Sequence, residues 1–294
     1  LGPLLGNGVF TADGADWKWQ RHVVAPLFRQ SELLRYVPAM AAAAAAFADD
    51  WTAEAPGAER AVDRDMAALT FKIIADTILP GGDAFVAAAI ERAHTDYLQP
   101  ISWEIAAAMV GLPTWVPHPG TFSMRRAERD LRGAVLALVS ARRRTPLVQA
   151  DLFQRLIDAR HPETAERMSD ALIVDNLLTF LAAGHATTAM ALTWTLYLLA
   201  RAPLWAARLE AEVDAVTGTG PIGAEHIDRL PLTQQVLKES LRLYPPAPVV
   251  LRAVTSDRTL GGLALRAGTS VIVPIYAIHR HKRLWQDPDC FDPD

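Results

Sequence analysis

Cysteine is almost missing from this sequence. Cys290 is the single one among 294 residues, so an internal disulfide framework is excluded and a reducing compartment fits. An excess of one charge sign is missing too. Lys and Arg number 29 against 33 Asp and Glu, for a formal charge of −4. That balance gives no electrostatic case for nucleic acid as a partner. Leu1–Phe10 lacks the charged-then-apolar pattern of a secretory signal. Internal repeats are absent. Leu1 is not an initiator methionine, and Phe291-Asp-Pro-Asp294 reads as a turn rather than a finished end. The expectation is a chain truncated at both ends.

Hydrophobic residues make up 51% of the chain, enough for a sizeable core. The length allows one large domain or two ordinary ones. One stretch stands out, Leu177–Ala200. Its 24 residues carry no Asp, Glu, Lys or Arg, one histidine, His185, and no proline. A run this apolar is buried on all sides or lies in lipid. The first option is favoured, because the mid-run patch Gly184-His-Ala-Thr-Thr188 is costly in lipid and no other stretch is comparably apolar and long. The helix is expected to start near Ser169, an N-cap candidate with Asp170 in the first turn, and to reach Arg201. Such a helix spans roughly 50 Å.

Other helices are read at Asp16–Arg29, Glu32–Trp51, Val62–Leu79, Asp83–Tyr97, Met124–Arg144, Leu204–Val216 and Leu232–Tyr244. Pro80-Gly-Gly82 stops one of them, and Leu112–Gly120 is a proline-rich loop. After Pro245-Pro-Ala-Pro248 the texture changes. Val249–Arg252, Leu260–Leu265 and Ser270–Tyr276 read as short strands with glycine turns. Helices followed by a small sheet make a mainly α, α+β fold. It is read as one domain over 1–294, helical to 248, with the β region from 249.

Several constellations could carry chemistry. Gly184 could let a flat ligand approach the backbone, while Thr187 supplies a hydroxyl that holds a water or bound oxygen. Equally, small residues allow close helix packing, and threonine hydroxyls bond one turn back. His185 has no second metal ligand at helical spacing, so no metal site is expected from it. Glu239 and Arg242 lie three apart on one helix face, either as a surface pair or as a buried pair locking the helix to the strand region after it. Trp17 and Arg21, at i and i+4, donate and do not accept. They could hold an anion, with Arg252 joining them, or simply form a cation–π contact. Arg125, Arg126, Arg129 and Arg132 make a basic face that suits a partner site or plain solvent.

In this order the pieces resemble the cytochrome P450 superfamily of haem-thiolate monooxygenases, over nearly the whole chain. Ala183-Gly-His-Ala-Thr-Thr188 looks like its oxygen-activation motif and Glu239-Ser-Leu-Arg242 like its Glu-x-x-Arg motif. Trp17-Lys-Trp-Gln-Arg21 looks like its haem-propionate helix. Tyr276–Arg280 and Trp285–Asp294 look like the approach to its meander. The resemblance implies a P450-like helical fold with haem b as cofactor. Thr187, Gly184, Ala183 and His185 would lie at the catalytic position. Trp17, Arg21 and Arg252 would hold the propionates, and Glu239 with Arg242 would form a structural ion pair. It also implies an apolar small-molecule substrate, and electrons from NAD(P)H delivered by a separate ferredoxin, flavodoxin or reductase. A soluble, cytoplasmic protein of bacterial type is expected, without membrane insertion.

Two departures from the family pattern bear on function. Ala186 stands where an acid usually precedes the threonine, so proton delivery would be slow, leak peroxide, or run through His185 and water. The thiolate cysteine with its glycine-rich loop is expected beyond Asp294. Cys290, between acidic neighbours that disfavour a thiolate, is not expected to bind iron. As written, the chain is therefore expected to be inactive. The alternatives are a non-catalytic protein that binds haem or a hydrophobic ligand and, further off, a membrane-inserted helical protein.

Overall fold

The computed structural model describes residues 2–55, 57–78, 116–145, 151–218 and 220–294, with isolated positions 90, 92, 93, 96, 97, 100, 103 and 106. Most of the helix read over Asp83–Tyr97, the Pro80–Gly82 stop and the Leu112–Trp115 part of the proline-rich loop lie outside the described residues. The principal helices are α1 (Gly14–Val24), α2 (Val37–Thr52), α3 (Val62–Ile78), α4 (Thr121–Arg144), α5 (Leu152–Asp158), α6 (Asp170–Arg201), α7 (Pro203–Thr217), α8 (Pro231–Leu243) and α9 (Ile275–His279). Four short strands are β1 (Val250–Ala253), β2 (Arg258–Leu260), β3 (Leu263–Leu265) and β4 (Ser270–Val273). Among the described residues the fold is mainly α with two small antiparallel sheets. The chain divides into two compact units that are not consecutive in sequence: Leu1–Ala46 with Leu69–His185, and Phe47–Ala68 with Ala186–Asp294.

In the first unit, α4 buries Met124, Ala127, Leu131, Val135 and Val139, which recur at steps of three and four. That spacing puts them on one face. They share a core with Ile173, Val174, Leu177, Leu178 and Leu181 of α6. Each large aliphatic side chain buried there contributes about 1.5–3 kcal/mol. Residues 173–180 are buried on every side, which is why that half of α6 shows no amphipathic period.

Of the polar residues that interrupt this apolar run, Asp175 and Asn176 hold the chain start. Asp175 accepts the Asn7 N–H at 2.9 Å and the Arg132 guanidinium at 2.6 Å. Arg132 also reaches the Leu4 carbonyl at 3.0 Å. Asn176 accepts the Val9 N–H at 3.1 Å and donates to the Gln20 side chain at 2.7 Å. The Gln20 amide in turn donates to the Asn7 carbonyl at 2.9 Å. The loop lies so close to α6 that a Cβ on Gly8 would stand 2.5 Å from the Thr179 hydroxyl. Arg132 is thus turned inward, whereas Arg125, Arg126 and Arg129 are exposed.

In the second unit, α7 and α8 both start with proline at the first position, where its missing N–H costs nothing. Glu212 of α7 accepts the Leu232 and Thr233 N–H groups at 2.7 and 2.9 Å, satisfying orphan donors of α8. Tyr244, just past α8, stacks flat on Trp194 with ring centroids 4.0 Å apart and 5° between planes. Arg280 lies over both Tyr244 and Tyr276. Strand β1 pairs with β4 in the register Leu251↔Ile272.

Four local readings change. Asp16–Arg29 is α-helical only to Val24, with a tighter turn over Ala25–Phe28, and Ser270–Tyr276 is strand only to Val273, since Ile275 opens α9. Glu32–Trp51 is not one helix: a turn at Gln30–Leu33 and a tighter turn at Leu34–Tyr36 precede α2. Pro38 has no N–H to continue an upstream helix and is tolerated where a new one begins. Leu260–Leu265 is not one strand but the hairpin β2–β3. It folds back at Gly261 and Gly262, with φ of +56° and +83°, as a two-residue hairpin loop with positive φ requires.

Candidate functional site

The centre of α6 presents two different sides. Ala183 and Thr187 are exposed, and at four residues apart they lie about 40° from each other around the helix. Gly184 and His185 face α3 instead. A Cβ on Gly184 would stand 2.6 Å from Ile74 Cδ1. The Thr70 hydroxyl donates to the His185 carbonyl at 3.3 Å. The His185 ring meets Phe71 edge-to-face at 5.6 Å. His185 and Thr187 are about 160° apart around the helix, so the histidine does not share a face with the threonine. Ala186, only half-buried, brings no ionisable group.

The two tryptophans of α1 have separate jobs. Trp19 donates its indole N–H to the Arg160 carbonyl at 3.1 Å and packs against His161. With buried Gln20 it ties α1 down. Trp17 is 41% exposed, and Arg21, one turn on, is exposed as well. The helix therefore offers an indole N–H and a guanidinium together, a donor-only pair suited to a carboxylate. Arg252 sits on β1 in the other unit, exposed, with its guanidinium on the Leu251 carbonyl at 2.8 Å.

Glu239 and Arg242 form a bidentate pair, both hydrogen bonds 2.7 Å long. Their side chains are 11% and 7% exposed. The hydrogen bond to Glu239 raises the Arg242 pKa, against the lowering effect of burial, so the guanidinium stays charged. Cys290 is exposed. Its carbonyl accepts from Arg242 at 2.9 Å and its N–H donates to the Asp287 carbonyl at 2.9 Å, so its backbone serves the ion-pair network. Beside the pair, Trp205, Lys238, Trp285 and Phe291 line an open cleft of about 790 Å³. No group of three or more His, Cys, Asp or Glu side chains gathers as a metal site among the described residues. By length and composition α6 could cross a membrane. Its Asp175 is ion-paired within the first unit.

Sequence reasoning did not find Thr70, Phe71 and Ile74. Their spacing on α3 signals only a buried face, and nothing in it names the neighbour. Glu212 was missed for the same reason, since its partners are backbone groups.

A long helix with a small-residue and threonine centre, a helix offering Trp and Arg, and a buried Glu-x-x-Arg pair define a class of α-rich proteins. The cytochrome P450 family model matches residues 2–294, and the chain belongs to that family. It is 32% identical over 294 residues to cyclooctat-9-en-7-ol 5-monooxygenase of Streptomyces melanosporofaciens, covering 99% of this chain and 63% of the relative. Pentalenene oxygenase of Streptomyces avermitilis is 30% identical over 295 residues, with 99% of this chain and 64% of the relative covered. The crystal structure of the cytochrome P450DA heme domain superposes with a TM-score of 0.86 at 28% identity, over 100% of this chain and 64% of that one. The chain thus spans under two thirds of the length of these relatives.

Proposed function

We propose that this chain carries the oxygen-side helix and the propionate-holding helix of a haem monooxygenase that inserts one atom of O2 into an apolar, cyclic substrate. The observation that carries the reading is the exposed side of α6. There Ala183 offers a small surface, and Thr187 places a hydroxyl one turn away. The donor set of α1 fits the cofactor: Trp17 and Arg21 would hold a haem carboxylate through charge-assisted hydrogen bonds. Haem, when bound, supplies the reductive activation of O2. Thr187 would hold a water and pass its proton, and Ala183 would keep the face open. Glu239 and Arg242 act on the fold. Cys290 has no part as iron ligand in this reading. Electrons would come from a separate redox partner in a soluble, cytoplasmic setting. The two relatives are named for an unsaturated cyclic alcohol and an alkene, which supports an apolar alicyclic substrate here.

A carbon monoxide difference spectrum of the reduced full-length gene product tests the reading. A Soret band at the thiolate position, unchanged in Cys290→Ser, is expected. Its absence with haem still bound would favour the second reading, a non-catalytic binder of haem or an apolar ligand. Ala186, which removes the usual proton-delivering acid, is the observation on that side.

A further inference from the structure

We infer that Gly184 is a notch for Ile74, and that Ile74, with Thr70 and Phe71, is a positioning residue for the central motif of α6. The three side chains lie at i, i+1 and i+4 along α3, and their contacts converge on two adjacent residues of α6. Ile74 Cδ1 would stand 2.6 Å from a Cβ on Gly184. The next nearest atom, Cγ1 of the same side chain, would be 3.7 Å away. One terminal methyl group therefore fills the space the glycine leaves, so the glycine is explained by the neighbouring helix rather than by a ligand.

The other two contacts act beside it. Thr70 is 2% exposed, and its hydroxyl reaches the His185 carbonyl from outside the helix. A carbonyl oxygen has two lone pairs, so it can accept this bond as well as its ladder bond. A side chain inserted next to the ladder tilts the carbonyl and bends the helix locally. Phe71, 3% exposed, holds the imidazole on the α3 side. Together they fix both the standoff of the motif and the direction of its carbonyl.

The sign of a substitution separates this role from ligand clearance. In an open helix interior, Gly→Ala is stabilising, because glycine is the poorer helix former. Here Gly184→Ala is expected to lose that ordinary gain, because the new Cβ must displace Ile74 Cδ1. Ile74→Val removes only the Cδ1 methyl and should restore the gain. In the chain without haem, urea unfolding of Gly184→Ala, Ile74→Val and the double variant should show coupling of at least about fivefold in the unfolding constant. Additive effects would overturn the notch, and so would a double variant that fails to fold when Gly184→Ala alone fails.

Thr70 is tested separately. Hydrogen exchange of the peptide around residue 185 should speed up about tenfold in Thr70→Val and return in Thr70→Ser, while exchange in α4 stays unchanged. Equal exchange in all three proteins would remove Thr70 from the positioning set. The importance of this motif rests on the monooxygenase reading, but the test does not. Coupling without a thiolate Soret band in the full-length product would leave the notch standing and overturn the function. A thiolate Soret band without coupling would do the reverse.

Discussion

Arg242 engages Glu239 through two hydrogen bonds of 2.7 Å and spends its remaining donors on the carbonyls of His279, Pro288 and Cys290, at 2.9, 2.7 and 2.9 Å. All five guanidinium N–H groups are thereby used. Removing either partner leaves a buried charge unpaired, which costs about 3–5 kcal/mol. Arg242→Ala and Glu239→Gln should each lose that much in urea unfolding. Arg242→Lys should recover less than half, since an ammonium cannot make the bidentate fork. A loss below about 1 kcal/mol would mark the pair as an ordinary exposed one.

That pair shows what the sequence could and could not tell. Glu239 and Arg242 are legible as neighbours because three residues along a helix share a face. The three carbonyls are not, since they come from positions 37 to 48 residues on and backbone groups carry no residue code. The long helix is legible from its apolar run, but its orientation is not. A run this uniformly apolar has no period, so nothing says that Gly184 and His185 face α3 while Ala183 and Thr187 are exposed. Likewise Arg132 looks like its exposed neighbours in the basic series, and only Asp175 and the Leu4 carbonyl turn it inward.

Acid should weaken the second unit through Glu212. Burial raises its pKa, but the Leu232 and Thr233 N–H groups and the Thr233 hydroxyl outweigh that and hold it below the ordinary value. A depressed folded pKa means the unfolded chain binds its proton first. The stabilisation is therefore fully present above the ordinary glutamate value of about 4.3 and is lost as pH falls through the lower folded value. Urea midpoints of the natural chain and Glu212→Gln should converge below that pH and separate above it. Parallel curves at all pH values would remove Glu212 from the acid response.

Gly6 should tolerate no side chain. Its φ is +51°, and a Cβ would fall directly on the Asp175 carboxylate. The backbone conformation alone costs a non-glycine residue about 1–3 kcal/mol. Displacing Asp175 would also release Arg132 and the Asn7 N–H. Gly6→Ala should therefore destabilise by at least about 2 kcal/mol in urea unfolding. Gly57→Ala is the control, because it also has positive φ, +87°, but meets nothing within 4 Å. Equal losses at the two sites would attribute the effect to backbone strain and take the Asp175 contact out of the explanation.

Ala186 is the position at which the proposed chemistry can be improved. His185 is turned toward α3 and about 160° from Thr187 around the helix, so it is poorly placed to replace a missing acid. A carboxyl group one residue before Thr187 can accept and return a proton to water held by the threonine hydroxyl, and a positioned acid–base group typically contributes 10²–10⁴-fold. In the full-length, haem-loaded protein supplied with a reductase, Ala186→Glu should raise the fraction of electrons recovered in product by about two- to tenfold and lower peroxide release. Ala186→Gln matches the side chain in size but has no titratable proton, so it should leave coupling near its starting value. Unchanged coupling in Ala186→Glu, or an equal rise in Ala186→Gln, would show that proton delivery at this position is not what limits the reaction.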